Sequence, residues 1–384
     1  MQFEFATSSQ IVFGDGVIAK LPGLVAPLGR RALVVTGSTS ERARPALDSL
    51  KAEQIEAFPF HVNGEPTTDI ARDGVARARD AICHVVIGIG GGSALDSGKA
   101  IAALLSNGGD PLDYLEVIGA GKKITQPSAP YIAVPTTAGT GAEVTRNAVL
   151  TSEHHSVKVS FRSQHMLPRV ALVDPELTHA MPPAITASTG LDALTQVLEP
   201  FVSFGSNPLT DAICREGMRR AARSLERAYR HGGDIGARRD MALVSLFGGL
   251  ALANAKLGAV HGLAGPLGGM FTCPHGAVCA RLLPTVMSAN VRALRDRSPT
   301  SLALQRYDEV AQILTGRSDS KAEDGVAWVT EICETLNIPR LRAHGVKKEH
   351  FDALVDKTAT SSSMKGNPIK LTPDEVAEIL EQSL

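Results

Sequence analysis

The chain has 384 residues, enough for two domains that each bury a hydrophobic core. It carries 39 basic and 40 acidic residues, a formal net charge of −1, so no overall electrostatic attraction to nucleic acid or to a membrane surface is expected. Five widely spread cysteines are an odd number that argues against a disulfide framework and favours a reducing cytoplasm. No signal-peptide pattern or membrane-length apolar run is visible. We therefore expect a soluble cytoplasmic protein with no nucleic-acid or membrane partner.

The first part of the chain alternates short apolar runs, typical of buried strands, with helical patterns. The strand-like runs are RALVVTG, AFPFHV, HVVIGIG and PYIAVPT, and the helical stretches between them are ERARPALDSLKAEQ, DIARDGVARARDA and IAALLSNG. IVFGDG, NAVLTS and VALVD fit further strands. This alternation predicts a parallel sheet covered by helices on both faces.

Beyond about Asp174 the pattern predicts only helices. They are ITASTGLDALTQVLEPFVS, LTDAICREGMRRAARSLERAYRHG, RRDMALVSLFGGLALANAK and the terminal TPDEVAEILEQSL, for which Thr372 fits the N-cap. Proline is dense between the two regions, in VDPELTHAMPP. We therefore predict an α/β domain over residues 1–178 and an all-α domain over residues 179–384.

Two turns of the predicted α/β domain fit a nucleotide. In VVIGIGGGSALDSGKA an apolar strand runs into Gly91, Gly92 and Ser93 and a helix follows, which predicts a diphosphate site at a helix N-terminus, although such turns also serve tight packing alone. In VPTTAGTGAE the hydroxyl groups follow a strand, where open α/β sheets bind ligands; an ordinary capped loop is the alternative.

A possible metal site lies in the helical region. STGLDALTQVLEP places Asp192 four residues before Gln196, so both side chains share one face of an apolar helix. A buried carboxylate needs a partner, and His261 and His275 are available further along the chain. Imidazole and carboxylate together suit iron, zinc or nickel. The alternative is a capped aspartate and two histidines with ordinary core partners.

The motifs together resemble those of the iron-containing alcohol dehydrogenase family, which shares the dehydroquinate synthase-like fold. The matching stretches are GGGSALDSGKA, VPTTAGTGAE, VDPEL…MPP…TGLDAL, HGLAGPLGG…PHG and GNPIKLTPDEV, and they extend over nearly the whole chain. The resemblance implies a dinucleotide-binding domain, a helical metal-bearing domain and catalysis in the cleft between them. It assigns the following residues to the cofactor: Gly91, Gly92, Ser93 and Asp96 near its diphosphate, Thr136, Thr137 and Thr140 on its nicotinamide side, and Lys158.

The sequence departs from the family pattern at two positions of the active site. The resemblance implies four metal ligands, an aspartate and three histidines; Asp192, His261 and His275 match, but Gln196 stands where a histidine is expected. An amide oxygen is a weaker donor than imidazole, so either iron or zinc binds through three strong ligands plus Gln196, or the site uses hydrogen bonds without a metal. Many alcohol-specific members also have a histidine for proton transfer where this chain has Gly265, so another proton route or a water is needed.

The loop after the first β–strand bears on the choice of cofactor. Members that prefer NAD carry an acidic residue there, whereas this chain has Gly37, Ser38 and Thr39, followed by Arg42 and Arg44. A carboxylate would repel a 2′-phosphate and these residues would not, which favours NADP, or both NADP and NAD. The alternative is that the loop only caps a helix, through Ser40.

The sequence leaves three candidate functions for this protein. The leading one is an NAD(P)-dependent, metal-assisted dehydrogenase that interconverts a small alcohol and its aldehyde or ketone. The second is a reduction of an acidic keto substrate without strong metal dependence, as in maleylacetate reductases. The third is a nucleotide-binding protein that has lost redox activity. The resemblance also implies a homodimer formed through the N-terminal strand region.

Overall fold

The computed structural model describes residues 2–38, 40–155 and 157–384, with the backbone but not the side chain of Ser40; Thr39 lies outside the described residues. The chain forms two compact units. The α/β unit comprises Ala6–Thr137 and Gly141–Ala180. The helical unit comprises Ala138–Thr140 and Met181–Leu384, together with the N-terminal residues up to Phe5.

The α/β unit contains a six-stranded parallel sheet among the described residues. Its strands, listed in chain order, are β1 Gln10–Phe13, β2 Arg31–Thr36, β3 Glu56–His61, β4 Val85–Gly90, β5 Tyr131–Pro135 and β8 Val170–Val173. They lie in the order β1-β8-β5-β4-β2-β3. The helices of this unit are α1 Leu21–Val25, α2 Arg44–Ala52, α3 Thr68–Asp80, α4 Gly92–Asn107 and α5 Pro111–Tyr114. The predicted α/β class is confirmed.

Alternate residues of one strand enter different cores, as the period of a strand requires. Leu33 and Val35 of β2 belong to one hydrophobic cluster, and Ala32 and Val34 belong to the other. Helices therefore cover both faces, and β4 is buried along its whole length.

A separate antiparallel hairpin completes the α/β unit. It consists of β6 Asn147–Ser152, which the sequence predicted, and β7 Val157–Arg162, which it did not. The run VKVSFR alternates apolar and polar residues, but only Phe161 is fully buried. Strict alternation is the pattern of a half-buried strand, so the signal for β7 was present in the sequence.

The helical unit is built around a long buried helix. Its helices are α6 Pro183–Val202, α7 Pro208–Arg230, α8 Ile235–Asn254, α9 Ala259–Met270, α10 His275–Arg297, α11 Leu302–Thr315, α12 Ala322–Thr335, α13 Phe351–Thr360 and α14 Pro373–Ser383. Helix α6 is buried on almost every side and packs against α7, α8 and α10. The predicted cap of α14 is present, since the Thr372 hydroxyl accepts from the Glu375 amide and the Glu375 carboxylate accepts from the Thr372 amide.

No single helix in the described part of the chain is long and apolar enough to cross a membrane. Helices α8 and α9 taken together pass on length and composition, but a bend of 96° separates them.

Candidate active site

Three turns that the sequence predicted separately are neighbours in the α/β unit. They follow β2, β4 and β5, which lie side by side in the sheet, so the turns share its carboxyl edge. The Thr136 amide donates to the Gly90 carbonyl at 2.9 Å. A Cβ on Gly91 would lie 3.3 Å from the Thr137 side chain, and one on Gly90 would lie 3.5 Å from the Gly37 nitrogen. This edge is where parallel α/β sheets bind nucleotides.

The turn after β4 presents free backbone donors. Helix α4 begins at Gly92, and Gly91 occupies its N-cap without any side-chain cap. The first helical hydrogen bond closes from the Leu95 amide to the Gly91 carbonyl, so the amides of Gly92 and Ser93 precede the helical ladder. Free amides and the positive end of the helix dipole suit a diphosphate.

Asp96 and Lys158 also lie in this unit. Asp96 is one turn inside α4; its Oδ2 accepts from the Val149 amide at 3.0 Å, and its Oδ1 is 3.6 Å from Lys99 Nζ. Burial raises the pKa of Asp96 despite that ammonium group. Lys158 lies on β7 and forms an ion pair with Glu65, Nζ to Oε2 at 2.6 Å. Contact of either residue with a cofactor stays a prediction.

The three remaining residues predicted to bind the cofactor, Gly37, Ser38 and Thr140, lie in the loops after β2 and β5. Gly37 is half-buried and Ser38 is exposed, directly after β2. Arg42 extends from the same loop to the Ala180 carbonyl, at 3.4 Å. Thr140 lies in the short segment Ala138–Thr140, which belongs to the helical unit and ends at Gly141 with φ of +60°.

The helical unit brings three of the predicted metal ligands together. Asp192 lies in the middle of α6, His261 on the first turn of α9, and His275 at the start of α10. Asp192 Oδ1 is 3.5 Å from His261 Nε2 and 3.9 Å from His275 Nε2. A Cβ on Gly276 would lie 2.6 Å from the Ser188 carbonyl, so this glycine lets α10 approach α6 beside Asp192.

Two buried oxygens at this position have no hydrogen-bond partner. They are Asp192 Oδ1 and Gln196 Oε1, and each of these two residues is 2% exposed. The Gln196 amide nitrogen donates to the Gly139 carbonyl at 3.0 Å, which fixes the amide and leaves its oxygen without a partner. A buried acceptor left unpaired costs about 1–3 kcal/mol, more when it is charged. A bound cation would remove this cost, so the donor set fits a divalent metal.

Glu199 orients the first of the two imidazoles. Its Oε2 lies 2.7 Å from His261 Nδ1, and its Oε1 accepts from the Val260 amide at 2.7 Å. The carboxylate keeps a proton on Nδ1, so Nε2 is the nitrogen that faces Asp192. Nε2 carries a second proton while the imidazole is charged, and offers a lone pair once a metal displaces that proton. A carboxylate behind a histidine is the usual second shell of a metal site. Sequence reasoning missed Glu199, although it lies seven residues after Asp192 on the same face of α6.

Electrostatics couple the aspartate to the histidines. Burial alone would raise the pKa of Asp192, but the His261 imidazole, with Nε2 3.5 Å from Oδ1, and the nearby charge of His275 outweigh it and lower the pKa. Burial would also lower the pKa of His261, but Cys279, Asp192 and Glu199 hold it well above its usual value. Such a site binds one positive charge firmly, and a metal ion would displace the proton.

Cys279 is a further member of the cluster that the sequence did not indicate. It lies one helical turn after His275 on α10 and is fully buried. Its Sγ is 3.6 Å from His275 Nε2, and the ligand atoms of Asp192, His261, His275 and Cys279 all lie within 4.8 Å of one another. Burial raises the pKa of this thiol to about 12. The spacing of four residues from a predicted ligand was the available signal.

Gly265 faces open space. It lies one turn after His261 on α9, and a Cβ built there meets no heavy atom within 4 Å.

Comparison with known proteins bears on the identity of this site. The chain matches the iron-containing alcohol dehydrogenase family over residues 8–175 and the C-terminal domain of the Fe-containing alcohol dehydrogenase family over residues 186–384. The chain belongs to the iron-containing alcohol dehydrogenase family.

Full-length relatives agree with this assignment. Alcohol dehydrogenase 4 of Saccharomyces cerevisiae is 34% identical over 97% of this chain and 96% of its own. A crystal structure of 1,3-propanediol oxidoreductase superposes with a TM-score of 0.92 at 34% identity, covering 100% of both chains. The sulfoacetaldehyde reductase of Bifidobacterium kashiwanohense, solved with NAD+, gives a TM-score of 0.87 at 27% identity, covering 100% of this chain and 99% of its own.

Membership in the iron-containing alcohol dehydrogenase family confirms the leading function. The protein is an oxidoreductase of the alcohol dehydrogenase type that uses NAD(H) and a divalent metal to interconvert alcohols and carbonyl compounds.

Proposed function

We propose that this dehydrogenase interconverts a small primary alcohol and its aldehyde, with a divalent metal held by Asp192, His261 and His275. The observation that carries the proposal is the buried, unpartnered Asp192 Oδ1 between two imidazole nitrogens, at 3.5 and 3.9 Å. A cation bound beside these three atoms would satisfy the oxygen and both nitrogens together.

Each residue of the site has a separate task. When bound, the metal supplies a Lewis acid that polarises the substrate oxygen. Glu199 holds the proton of His261 on Nδ1, so that Nε2 stays available as a ligand. Asp192, buried at 2% exposure, contributes negative charge in a place from which water is excluded.

The cofactor is assigned to the turns of the α/β unit. The amides of Gly91, Gly92 and Ser93 bind its diphosphate, and the Thr136, Thr137 and Thr140 hydroxyls bind the nicotinamide side. Asp96 and Lys158 complete the set, with Lys158 exchanging its ion pair with Glu65 for a cofactor contact. Because Gly37 and Ser38 carry no charge that repels a 2′-phosphate, we expect turnover with NADP as well as NAD.

The proton of the alcohol leaves through water. Gly265 has no side chain to relay it, and the space beside this residue is open. The same space admits a longer substrate than a histidine at this position would. The relative named for 1,3-propanediol makes this diol a suitable first substrate.

We also propose a homodimer in the cytoplasm. Strand β1 lies at the edge of the sheet, and Ile11 on it is 36% exposed. An exposed edge strand offers unpaired backbone groups to a second copy. Light scattering at micromolar concentration tests this: twice the chain mass supports the dimer, and the single mass contradicts it.

The function is tested with purified protein reconstituted with zinc or iron. Oxidation of 1,3-propanediol, ethanol and 1-butanol is followed as NADH and NADPH formation, with Asp192→Asn as the variant. The amide keeps the shape of the carboxylate but removes its charge, so we expect metal affinity and turnover to fall at least about 100-fold. Full activity of Asp192→Asn, or activity confined to acidic keto substrates and indifferent to chelator, contradicts the proposal.

A further inference from the structure

The groups that could bind a metal around Asp192 include one weak donor, Gln196, and one strong donor that has no role so far, Cys279. Gln196 would contribute a neutral amide oxygen, and its amide nitrogen is already committed to the Gly139 carbonyl. Amide oxygens suit hard cations such as magnesium and calcium, whereas the imidazoles of His261 and His275 suit iron and zinc. A softer donor would match the two histidines better.

Cys279 is at the right distance to be that donor. In a tetrahedral site with metal bonds of about 2.0–2.3 Å, neighbouring ligand atoms lie roughly 3.3–3.7 Å apart. Cys279 Sγ is 3.6 Å from His275 Nε2, and Asp192 Oδ1 is 3.5 Å from His261 Nε2. All four ligand atoms fall within 4.8 Å of one another, so one ion can contact them together.

Helical spacing places the donor residues of α6 and α10 in pairs. His275 and Cys279 occupy successive turns of α10, as Asp192 and Gln196 do on α6, so each helix presents a pair on one face. The buried Asp192 Oδ1 has no hydrogen-bond partner, which independently indicates that a cation belongs beside it.

Other buried thiols of the helical unit do not share these surroundings. Cys333 donates to the Ala280 carbonyl at 3.3 Å, and Cys214 is enclosed by the apolar core. Cys279 instead lies against the nitrogen of an imidazole.

We propose that Cys279 is a metal ligand of this dehydrogenase, that it takes the place of Gln196 in the donor set, and that it makes the centre selective for zinc. The proposal rests on the metal site of the proposed function. Binding releases the thiol proton to the buffer, since only the thiolate coordinates. A sulfur ligand favours zinc over iron and manganese, so we expect the site to retain zinc when zinc and iron are supplied together.

The test is X-ray absorption spectroscopy of the zinc-loaded full chain. We expect one sulfur per zinc at about 2.3 Å, beside nitrogen and oxygen at about 2.0–2.2 Å. Cys279→Ser loses the sulfur shell and binds zinc at least about tenfold more weakly. Cys214→Ser, a matched buried thiol in the same core, keeps the sulfur shell. Gln196→Ala keeps the sulfur shell and loses less than about threefold in zinc affinity, because Cys279 and not the amide holds the ion.

The outcomes separate this proposal from the proposed function. A wild-type spectrum with one bound zinc and only nitrogen and oxygen ligands overturns the role of Cys279 and leaves the metal-assisted dehydrogenase standing. A sulfur shell that survives in Cys279→Ser also overturns it. A protein that binds iron but no zinc overturns this proposal alone, and a protein that binds neither metal in calorimetry overturns both. Because the wild-type spectrum decides by itself, a Cys279→Ser variant that fails to fold does not remove the test.

Discussion

A single carboxylate, Glu199, decides which nitrogen of His261 faces the metal site. It accepts the Nδ1 proton at 2.7 Å and is itself anchored by the Val260 amide. A Cβ on Gly258 would lie 2.8 Å from Glu199 Oε1, so the glycine before α9 is part of the same arrangement.

Replacing Glu199 by glutamine should weaken metal binding without changing the shape of the site. A neutral amide polarises the imidazole less than a carboxylate does, and loss of such a partner typically costs 10–100-fold in metal affinity. We expect a zinc dissociation constant raised by about that factor in competition titrations, with NADH affinity unchanged. Glu226→Gln, on the exposed face of α7, is the control. Equal zinc affinity in Glu199→Gln and wild type would show that Glu199 only fills space.

Gly265 offers a gain-of-function experiment. The space beside it is open, so Gly265→His can place an imidazole where the resemblance to alcohol-specific members of the family implies one. A positioned proton carrier typically contributes about 10²–10⁴-fold, so we expect kcat for 1,3-propanediol at neutral pH to rise and its pH profile to gain a group near pH 6–7. Gly265→Leu fills the same space without a proton carrier. If both variants give the same profile, proton transfer does not pass this position.

At the residue scale the sequence predicted which side chains meet but not what surrounds them. Asp192, His261 and His275 came from motifs that resemble the family, and the structure brings them together. Glu199 and Cys279 carry no motif of their own. Their importance depends on how α6, α9 and α10 cross, which spacing along one helix does not reveal.

At the level of the elements, the turn between β4 and α4 should set cofactor affinity. A Cβ on Gly91 would lie 3.3 Å from the Thr137 side chain and would occupy the space through which a diphosphate approaches the free amides. We expect Gly91→Ala to raise the NADH dissociation constant by about tenfold or more in fluorescence titrations, while zinc content stays the same. Gly23→Ala in α1, where a Cβ meets nothing within 4 Å, is the control. Unchanged NADH affinity in Gly91→Ala would remove this turn from the cofactor site.

Glu143, in the turn after β5, gives the α/β unit a pH dependence. Burial raises its pKa from 4.5 to about 7, even with Lys99 nearby. Because the folded-state pKa exceeds the unfolded value, its contribution to stability is fully present below pH 4.5 and is lost as the pH rises to about 7. The difference is on the order of 3 kcal/mol. Glu143→Gln should remove it, so the stability of the variant relative to wild type should increase between pH 5 and 8 in denaturant titrations. The exposed Glu153→Gln should show no such trend, and a parallel pH response of Glu143→Gln and wild type would contradict the assignment.

Elements with strong periodicity could be predicted, and weakly patterned ones could not. Strands β2 to β5 are apolar runs between helices and were predicted as such. Helix α9 contains four glycines and Pro266 within an apolar run, so it has no clear period. Strand β7 alternates apolar and polar residues, but over only six positions. Helix α9 forms because its packing in the core outweighs the low propensity of its residues.

At the scale of the whole molecule, the predicted architecture holds: a parallel α/β sheet first and a helical unit after it. The predicted domain boundary at residue 178 remains a prediction. The sequence could not supply the segment Ala138–Thr140, which belongs to the helical unit although it lies within the α/β part of the chain. This segment accepts a hydrogen bond from the Gln196 amide at the Gly139 carbonyl. The two residues are far apart in the sequence, so no local pattern predicts that contact.

The measurement that tests the account most directly is the metal content of untagged protein, purified without chelator from cells supplied with iron and zinc, together with its alcohol-dependent NAD(P)H formation. We expect about one metal ion per chain, loss of turnover when a chelator removes it, and recovery when zinc or iron is returned. The Asp192→Asn protein should be isolated with little metal. A metal-free wild-type protein that still oxidises alcohols at full rate would contradict the account, because the buried Asp192 oxygen would then serve no cation.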